Sequence, residues 1–327
     1  MDLVDRAFIK ALTEIPSVGT ACGPIMNLLT KRFGNGYSRT FVPDGFCLFQ
    51  KNGYSPEDLE AVFVAHLDEV GGCILGPRPQ GGFNARFWGI TPDVYANAEL
   101  QALDYLAEDS RGAYPVRGEV VIEGNEQKLV IYGDSIRPYR TVWTYKQETT
   151  YDDDVIEGKA LDPRVTVFSV EESVRAINDG RIGAMFVMAE ECAMDVAKKG
   201  VAFLQNHSPN LRLIVNADVP GIQNIGEGRL DMPAIRIFEG KNFIDPSFGI
   251  RVSHLLMEQG VELHLTAARS GSQTLLFTPL APTLSIALPS DGVHLPKYKM
   301  SVKGAERCTE LLKAIGANFL DGALHTK

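Results

Sequence analysis

The 327-residue sequence has only six histidines and five cysteines, and none of the cysteines forms a Cys-x-x-Cys pair. Cys22, Cys47, Cys73, Cys192 and Cys308 are scattered and odd in number. That argues against a disulfide framework or a cysteine-zinc module and makes a reducing cytoplasm the expected location. No apolar run approaches the roughly 18–20 residues that span a bilayer, so no membrane partner is expected. The start, MDLVDRAFIKALTEIP, lacks the basic opening and unbroken apolar stretch of a signal peptide. Excess positive charge is missing too: the net charge is −9. Phosphate binding needs a basic face, so nucleic acid is not the expected partner.

What is present is ordinary globular material, with 45% hydrophobic and 22% charged residues. The length suits one large domain or a core domain carrying a smaller one. Residues 2–33 read as two helices around the loop IPSVGTACG, with Pro24 at the start of the second. GFCLFQKNG is a short strand closed by a turn at Asn52-Gly53. LEAVFVAH is almost wholly apolar and suits a central strand covered on both faces.

After Gly72 the texture changes to Gly, Pro, aromatics and short strands. GEVVIEG and KLVIYGD read as a hairpin, RTVWTYKQETTY as one alternating strand and NAELQALDYLAED as a helix. Residues 74–156 are therefore expected to form an inserted, mostly β domain, leaving 1–73 and 157–327 as the main one. From Gly158 the α/β rhythm returns: the helix PRVTVFSVEESVRAIND, apolar strands GAMFVMAEE, LRLIVNADV, VELHLTA and APTLSIALP, and a last helix from Val302 to Leu320 capped by Ser301. The expected fold is α/β, a mixed and mostly parallel sheet sandwiched by helices.

Sites in such folds form beyond the carboxyl ends of the strands. His66 follows AVFVA, Glu190 and Glu191 follow AMFVMA, Asp218 follows LIVNA, His294 follows TLSIALPSDGV, and Asp162 lies in GKALDPR before a helix. Taken singly, each has a plain reading: a histidine after a strand is commonly a surface or satisfied residue, and paired glutamates commonly face solvent. Their coincidence points to chemistry. Imidazole with carboxylate suits zinc and related divalent ions. Two histidines, two terminal carboxylates and a bridging one can hold two ions roughly 3.5–4 Å apart, leaving one carboxylate as general base. Glu190 and Glu191, adjacent at a strand end, can diverge to metal and water. Asp68, two residues past His66, can orient its imidazole.

These segments resemble metallopeptidase family 42, the glutamyl aminopeptidase, TET-type and endoglucanase M-like enzymes. VAHLDEVGG resembles the family's A-H-x-D-E-x-G, GKALDPR its K-A-L-D-[DN]-R, MAEEC its Q-E-E, and PTLSIALPSDGVHLPKY the block ending in a ligating histidine. The motifs agree in order over nearly the whole chain, around a β insertion in the expected place. The resemblance implies a zinc-exopeptidase-like fold, a peptide substrate and two divalent ions, zinc or cobalt. His66, Asp218 and Asp162 hold one ion; Glu191, His294 and the bridging Asp162 hold the other; Glu190 is the general base and Asp68 orients His66. It also implies homo-oligomers built from dimers, with tetrahedral dodecamers among relatives, and an oligomerisation role for the inserted domain.

Three departures stand out. Pro163 replaces the Asp or Asn after the bridging Asp, and a cis Asp162-Pro163 bond is expected because proline lowers the cost of that isomer. Gln273 in SGSQTLLF stands where an Asp is expected, and ADVPG replaces Asp-Val-Thr around Asp218.

The expected activity is removal of N-terminal residues from short peptides through a metal-activated water. Another di-metal amide hydrolase, a deacylase or carboxypeptidase, and a non-catalytic homologue are the alternatives. His254 in a helix and His264 in a strand read as structural, and His207 in a loop and His325 in the tail as solvated. The acids of YDDD at 151–154 read as a solvated turn, and Cys192 as core packing. Glu69 has no assigned role.

Overall fold

The computed structural model describes residues 3–225 and 229–324; His325 lies outside them. Helices α1 (Leu3–Glu14) and α2 (Gly23–Phe33) precede β1 (Tyr37–Val42), β2 (Phe46–Lys51) and β3 (Ala61–His66). Then come β4 (Gly71–Pro77), β5 (Phe83–Trp88), α3 (Pro92–Ala96), β6 (Leu100–Asp104), β7 (Tyr114–Glu123), β8 (Glu126–Tyr132) and β9 (Thr141–Tyr145). A hairpin of β10 (Thr150–Asp152) and β11 (Val155–Gly158) leads to α4 (Leu161–Ile177), β12 (Ile182–Val187), α5 (Glu190–Ala193), α6 (Lys198–His207) and β13 (Leu213–Asp218). The rest is β14 (Ala234–Glu239), β15 (Asn242–Phe243), α7 (Pro246–Glu258), β16 (His264–Ala268), α8 (Thr274–Phe277), β17 (Thr283–Ala287), β18 (Tyr298–Ser301) and α9 (Val302–Leu320).

The main sheet is mixed, in the order β1-β2-β12-β3-β13-β17-β14-β15, with β16 beside β14. At its centre β12, β3, β13 and β17 run parallel; β1, β2, β14 and β15 join by antiparallel pairing. Every residue of β3, β12, β13 and β17 is buried. That burial explains their near-continuous apolar composition, because helices cover both faces. Phe63 and Ala65 face a core shared with α4, α7 and α9, while Val62 and Val64 face Leu204 of α6 and Phe277 of α8. Each such valine, leucine or phenylalanine side chain removed from water contributes about 1.5–3 kcal/mol. Ser301 caps α9 as expected, its Oγ accepting the Gly304 N–H at 3.1 Å.

Strands β4 to β9 close into a barrel in the order β4-β5-β8-β7-β6-β9, so the small β unit has no open edge. Tyr95 stacks on Tyr145 and meets Trp143 edge-on in its core. Gly72 is required where β4 enters: a Cβ there would lie 2.2 Å from the Arg86 carbonyl and 2.4 Å from the Trp143 ring. Strand β10 pairs with β11, and β11 with β18, in a separate three-stranded sheet.

Three local expectations are corrected. The stretch 97–109 is not a helix: Leu100–Asp104 is strand β6, paired with β7 and β9. Leu100 and Ala102 fill the barrel while Leu103 packs outside it against Val18 and Val142, so burial on two sides overrides helix propensity. Residues 140–151 are two strands, interrupted at 146–149. His207 ends α6 and packs on Phe203 rather than lying in a loop. The acids at 151–154 form the exposed turn of the β10-β11 hairpin. Among the described residues, no helix is long and apolar enough to cross a membrane.

Candidate metal centre

The register of the parallel strands assembles the site. His66 ends β3 opposite Val187 of β12, and Asp218 ends β13 opposite Ala287 of β17. Glu190, Glu191 and His294 lie just past β12 and β17, at the same edge. Glu190 and Glu191 do not extend the strand as expected. The chain turns at Ala189 (φ 62°) into the one-turn helix α5, which carries both carboxylates. Cys192 shares that helix; it is exposed and packs its thiol toward Gly19, rather than filling the core.

Asp162 stands at the start of α4, where Ala160 is left-handed (φ 51°) and the Asp162-Pro163 bond is cis, the expected isomer. Its N–H donates to the Tyr298 hydroxyl at 2.5 Å.

The structure brings together all seven residues singled out in the sequence. His66 Nε2 lies 3.2 Å from Asp162 Oδ1 and 3.6 Å from Asp218 Oδ1. His294 Nε2 lies 3.1 Å from Glu191 Oε1 and 3.6 Å from Asp162 Oδ2. The two oxygens of Asp162 thus face different histidines. Three overlapping groups have donor atoms within 4.8 Å of one another: His66 with Asp162 and Asp218, Asp162 with Glu191 and His294, and His66 with Glu190 and Glu191.

Asp68 does more than its spacing indicates. Its Oδ1 is 3.4 Å from His66 Nδ1, an ion-pair contact rather than an aligned hydrogen bond. The same carboxylate accepts the backbone N–H of Glu190 at 2.9 Å and of Glu191 at 3.2 Å. One buried side chain therefore ties the imidazole to the turn that carries both glutamates.

The inserted barrel also reaches the site. His294 Nδ1 is 3.1 Å from the Gly89 carbonyl, and the Tyr145 hydroxyl donates to the His294 carbonyl at 3.2 Å. With the Nδ1 proton on Gly89, Nε2 is left free toward Asp162 and Glu191. Backbone carbonyls have no sequence signature, so this support was not readable beforehand.

Glu69 gains a place as well. It is buried between Lys159, whose ammonium lies 2.6 and 2.7 Å from its two oxygens, and Thr144 of β9 at 2.9 Å. The Ser17 N–H donates to it at 3.2 Å, and Arg164 is 3.8 Å away. This network joins the N-terminal loop, the barrel and the segment leading to Asp162.

Charge is the dominant feature of the site. Burial raises the Glu190 and Glu191 pKa values, with neighbouring carboxylates adding to the effect. Burial disfavours protonation of His66, but Asp162, Asp218 and Asp68 outweigh it and hold its pKa well above the ordinary imidazole value. For His294 burial is likewise overcome, here by Glu191 and Asp162, and its pKa is pushed up to about 11. Burial of Asp218 is outweighed by the nearby His66 imidazole and by Arg236, so it stays well below the usual carboxylate range. Such a cluster of buried carboxylates calls for cations, and the donor set of imidazole and carboxylate fits divalent zinc or cobalt.

A sign follows for pH. A protonated His294 stabilises the metal-free fold fully below its unfolded pKa of about 6.5, and that contribution is lost as pH rises through about 11. Metal must displace that proton. Zinc added to the metal-free protein at pH 8 is therefore expected to release at least one proton per chain, readable in a weakly buffered indicator assay. A site whose histidines were already neutral at that pH would release one proton fewer.

A cleft of about 260 Å³ opens over the cluster, lined by Glu190, Glu191, Asp218, Asn224, Gly271 and His294 among others. No family model and no curated protein matches the sequence. Solved structures do. A TET1 dodecamer, PhTET1, superposes with a TM-score of 0.81 at 17% identity, covering 97% of this chain and 99% of its own. This chain has the fold of the TET aminopeptidases. The Pyrococcus horikoshii TET1 peptidase, which can assemble into a tetrahedron or a large octahedral shell, gives 0.78 at 17% identity over 95% and 99% of the two chains. The TET aminopeptidase of a marine-sediment thaumarchaeon gives 0.79 at 13% identity over 95% of each. The TET fold accounts for both parts of the molecule, the mixed sheet and the closed barrel.

Proposed function

We propose that the chain is a two-ion aminopeptidase that removes N-terminal residues from short peptides. The observation that carries this reading is the pair of donor groups sharing Asp162, with Glu190 beside them over the cleft. The aminopeptidase fold of the neighbours supports it.

His66, Asp162 and Asp218 would hold one divalent ion and Asp162, Glu191 and His294 the other, and the ions, zinc or cobalt, would supply Lewis acidity toward a carbonyl and toward water. Glu190 takes the proton from the attacking water and returns it to the leaving amine. Its burial, which raises its pKa in the metal-free fold, suits a group that must hold that proton between the two transfers. Asp68 keeps Glu190 and His66 in fixed relation during the exchange. The negative wall of the cleft favours a free α-ammonium over a blocked one.

The chain is also proposed to assemble as a homo-oligomer built from dimers. The dodecamer and shell assemblies of the structural neighbours support this, with the inserted β domain as the proposed contact. Five free cysteines suit the proposed cytoplasmic setting.

The test is a panel of free-amine and N-acetylated aminoacyl reporters, run on chelated protein with zinc or cobalt added back. Hydrolysis of the free-amine members alone, restored by metal, is the expected result. Equal cleavage of the N-acetylated set would favour a different amide hydrolase. Inactivity on both sets, with no ion bound, would leave a non-catalytic homologue.

A further inference from the structure

Beside the proposed ion site lies a buried charge that its chemistry does not use. Arg236 sits on β14, directly across from Ser285 of β17, and its side chain is fully buried. Its Nε donates to Ser285 Oγ at 2.8 Å and lies 2.9 Å from Glu239 Oε1. Its two terminal nitrogens each lie 3.3 Å from one atom, Asp218 Oδ2. The other oxygen of Asp218, Oδ1, is the one that faces His66. The carboxylate is thus divided, one oxygen for the guanidinium and one for the site.

The guanidinium cannot swing. Glu239 Oε2 accepts both the N–H and the hydroxyl of Ser272, at 3.1 and 2.9 Å. Thr274 bridges to Asn216 at 2.8 Å, and Gln273 donates to the same Asn216 at 2.9 Å. The SGSQTLLF segment, with Gln273 at its unusual position, therefore forms the frame around the Arg236–Glu239 pair. Two carboxylates against one guanidinium leave one net negative charge, and the Asp218 oxygen outside the guanidinium's reach is the one that faces His66.

We propose that Arg236 is a positioning residue that makes Asp218 a one-oxygen ligand and sustains the ion held with His66 and Asp162, while leaving the ion held by Glu191 and His294 to other supports. The proposal rests on the two-ion reading above. A planar fork held at both ends fixes a carboxylate's rotation in a way that a point charge does not. Without it Asp218 can turn its free oxygen away from His66.

The experiment titrates the metal-free full chain with cobalt alone, following visible absorption and bound metal at equilibrium. The natural chain is expected to fill in two steps. Arg236→Gln should weaken one ion about 10–100-fold, the range for loss of an outer-shell partner, and leave the other unchanged. Arg236→Lys keeps the charge without the fork and should show the same selective loss. Ser285→Ala, a milder change that keeps the fold if Arg236→Gln does not, should show a smaller loss of the same ion. Equal weakening of both ions would make Arg236 merely structural and overturn the assignment. So would two unchanged steps in Arg236→Gln, or an Arg236→Lys chain that binds both ions as the natural one does. A natural chain that takes up no cobalt would instead overturn the two-ion reading, and this assignment with it.

Discussion

Glu190→Gln is expected to lower turnover of aminoacyl reporters about 10²–10⁴-fold, the usual contribution of a positioned general base. Both ions should remain bound. Glutamine fills the same space, and the backbone N–H of residue 190 still reaches Asp68. What it loses is the ability to take a proton from water and hand it on. The same substitution should make the metal-free protein more stable. The Glu190 pKa is raised in the fold, so ionising it works against folding, and this penalty sets in as pH climbs above the ordinary glutamate value. An uncharged residue removes it. Turnover within a factor of ten of the natural chain, with metal content intact, would rule Glu190 out as the base.

Lys159→Met is expected to cost about 3–5 kcal/mol of stability, because it strips a buried carboxylate of its closest counter-charge. Lys159 and Glu69 are 0% and 1% exposed, so water cannot make good the loss. Arg164 at 3.8 Å is too distant to replace two contacts at 2.6 and 2.7 Å. The double variant Glu69→Gln with Lys159→Met should regain most of the deficit, since no charge is then left unpaired. Chemical denaturation of the three chains checks this. A single variant as stable as the natural chain would show that Lys159 is dispensable to the network. The effect should also reach His294, because Glu69 holds Thr144 of the strand whose Tyr145 touches that histidine.

The central strands were legible because burial on both faces leaves a compositional trace. VFVAH and MFVMA carry it, and their polar ends marked the site edge. Helix α9 is legible in the sequence, since an apolar period and a capping serine are both local signals. Leu100–Asp104 was not. ELQALDYLAE is made of helix formers, and its two partner strands lie elsewhere in the chain, out of reach of any local pattern. The paired charges Glu69–Lys159 and Asp218–Arg236 are hidden for the same reason: a lone Lys or Arg reads as surface until its partner is placed. Glu190 and Glu191 stand out in the sequence, but their one-turn helix does not, because its first step is a left-handed alanine that no residue preference announces.

The parallel centre of the sheet has a consequence for the order of assembly. His66, on β3, must wait for β12, β13 and β17, and each of these is separated from it by a long excursion of chain. Parallel pairings of this kind close late, because long loops must be ordered before the contacts reward them. On a ribosome the site cannot exist until residue 294 has emerged, long after the barrel can have closed on itself. Ions bound as proposed, only by the finished arrangement, would then act as selectors, stabilising the complete fold by mass action and giving nothing to its partial forms.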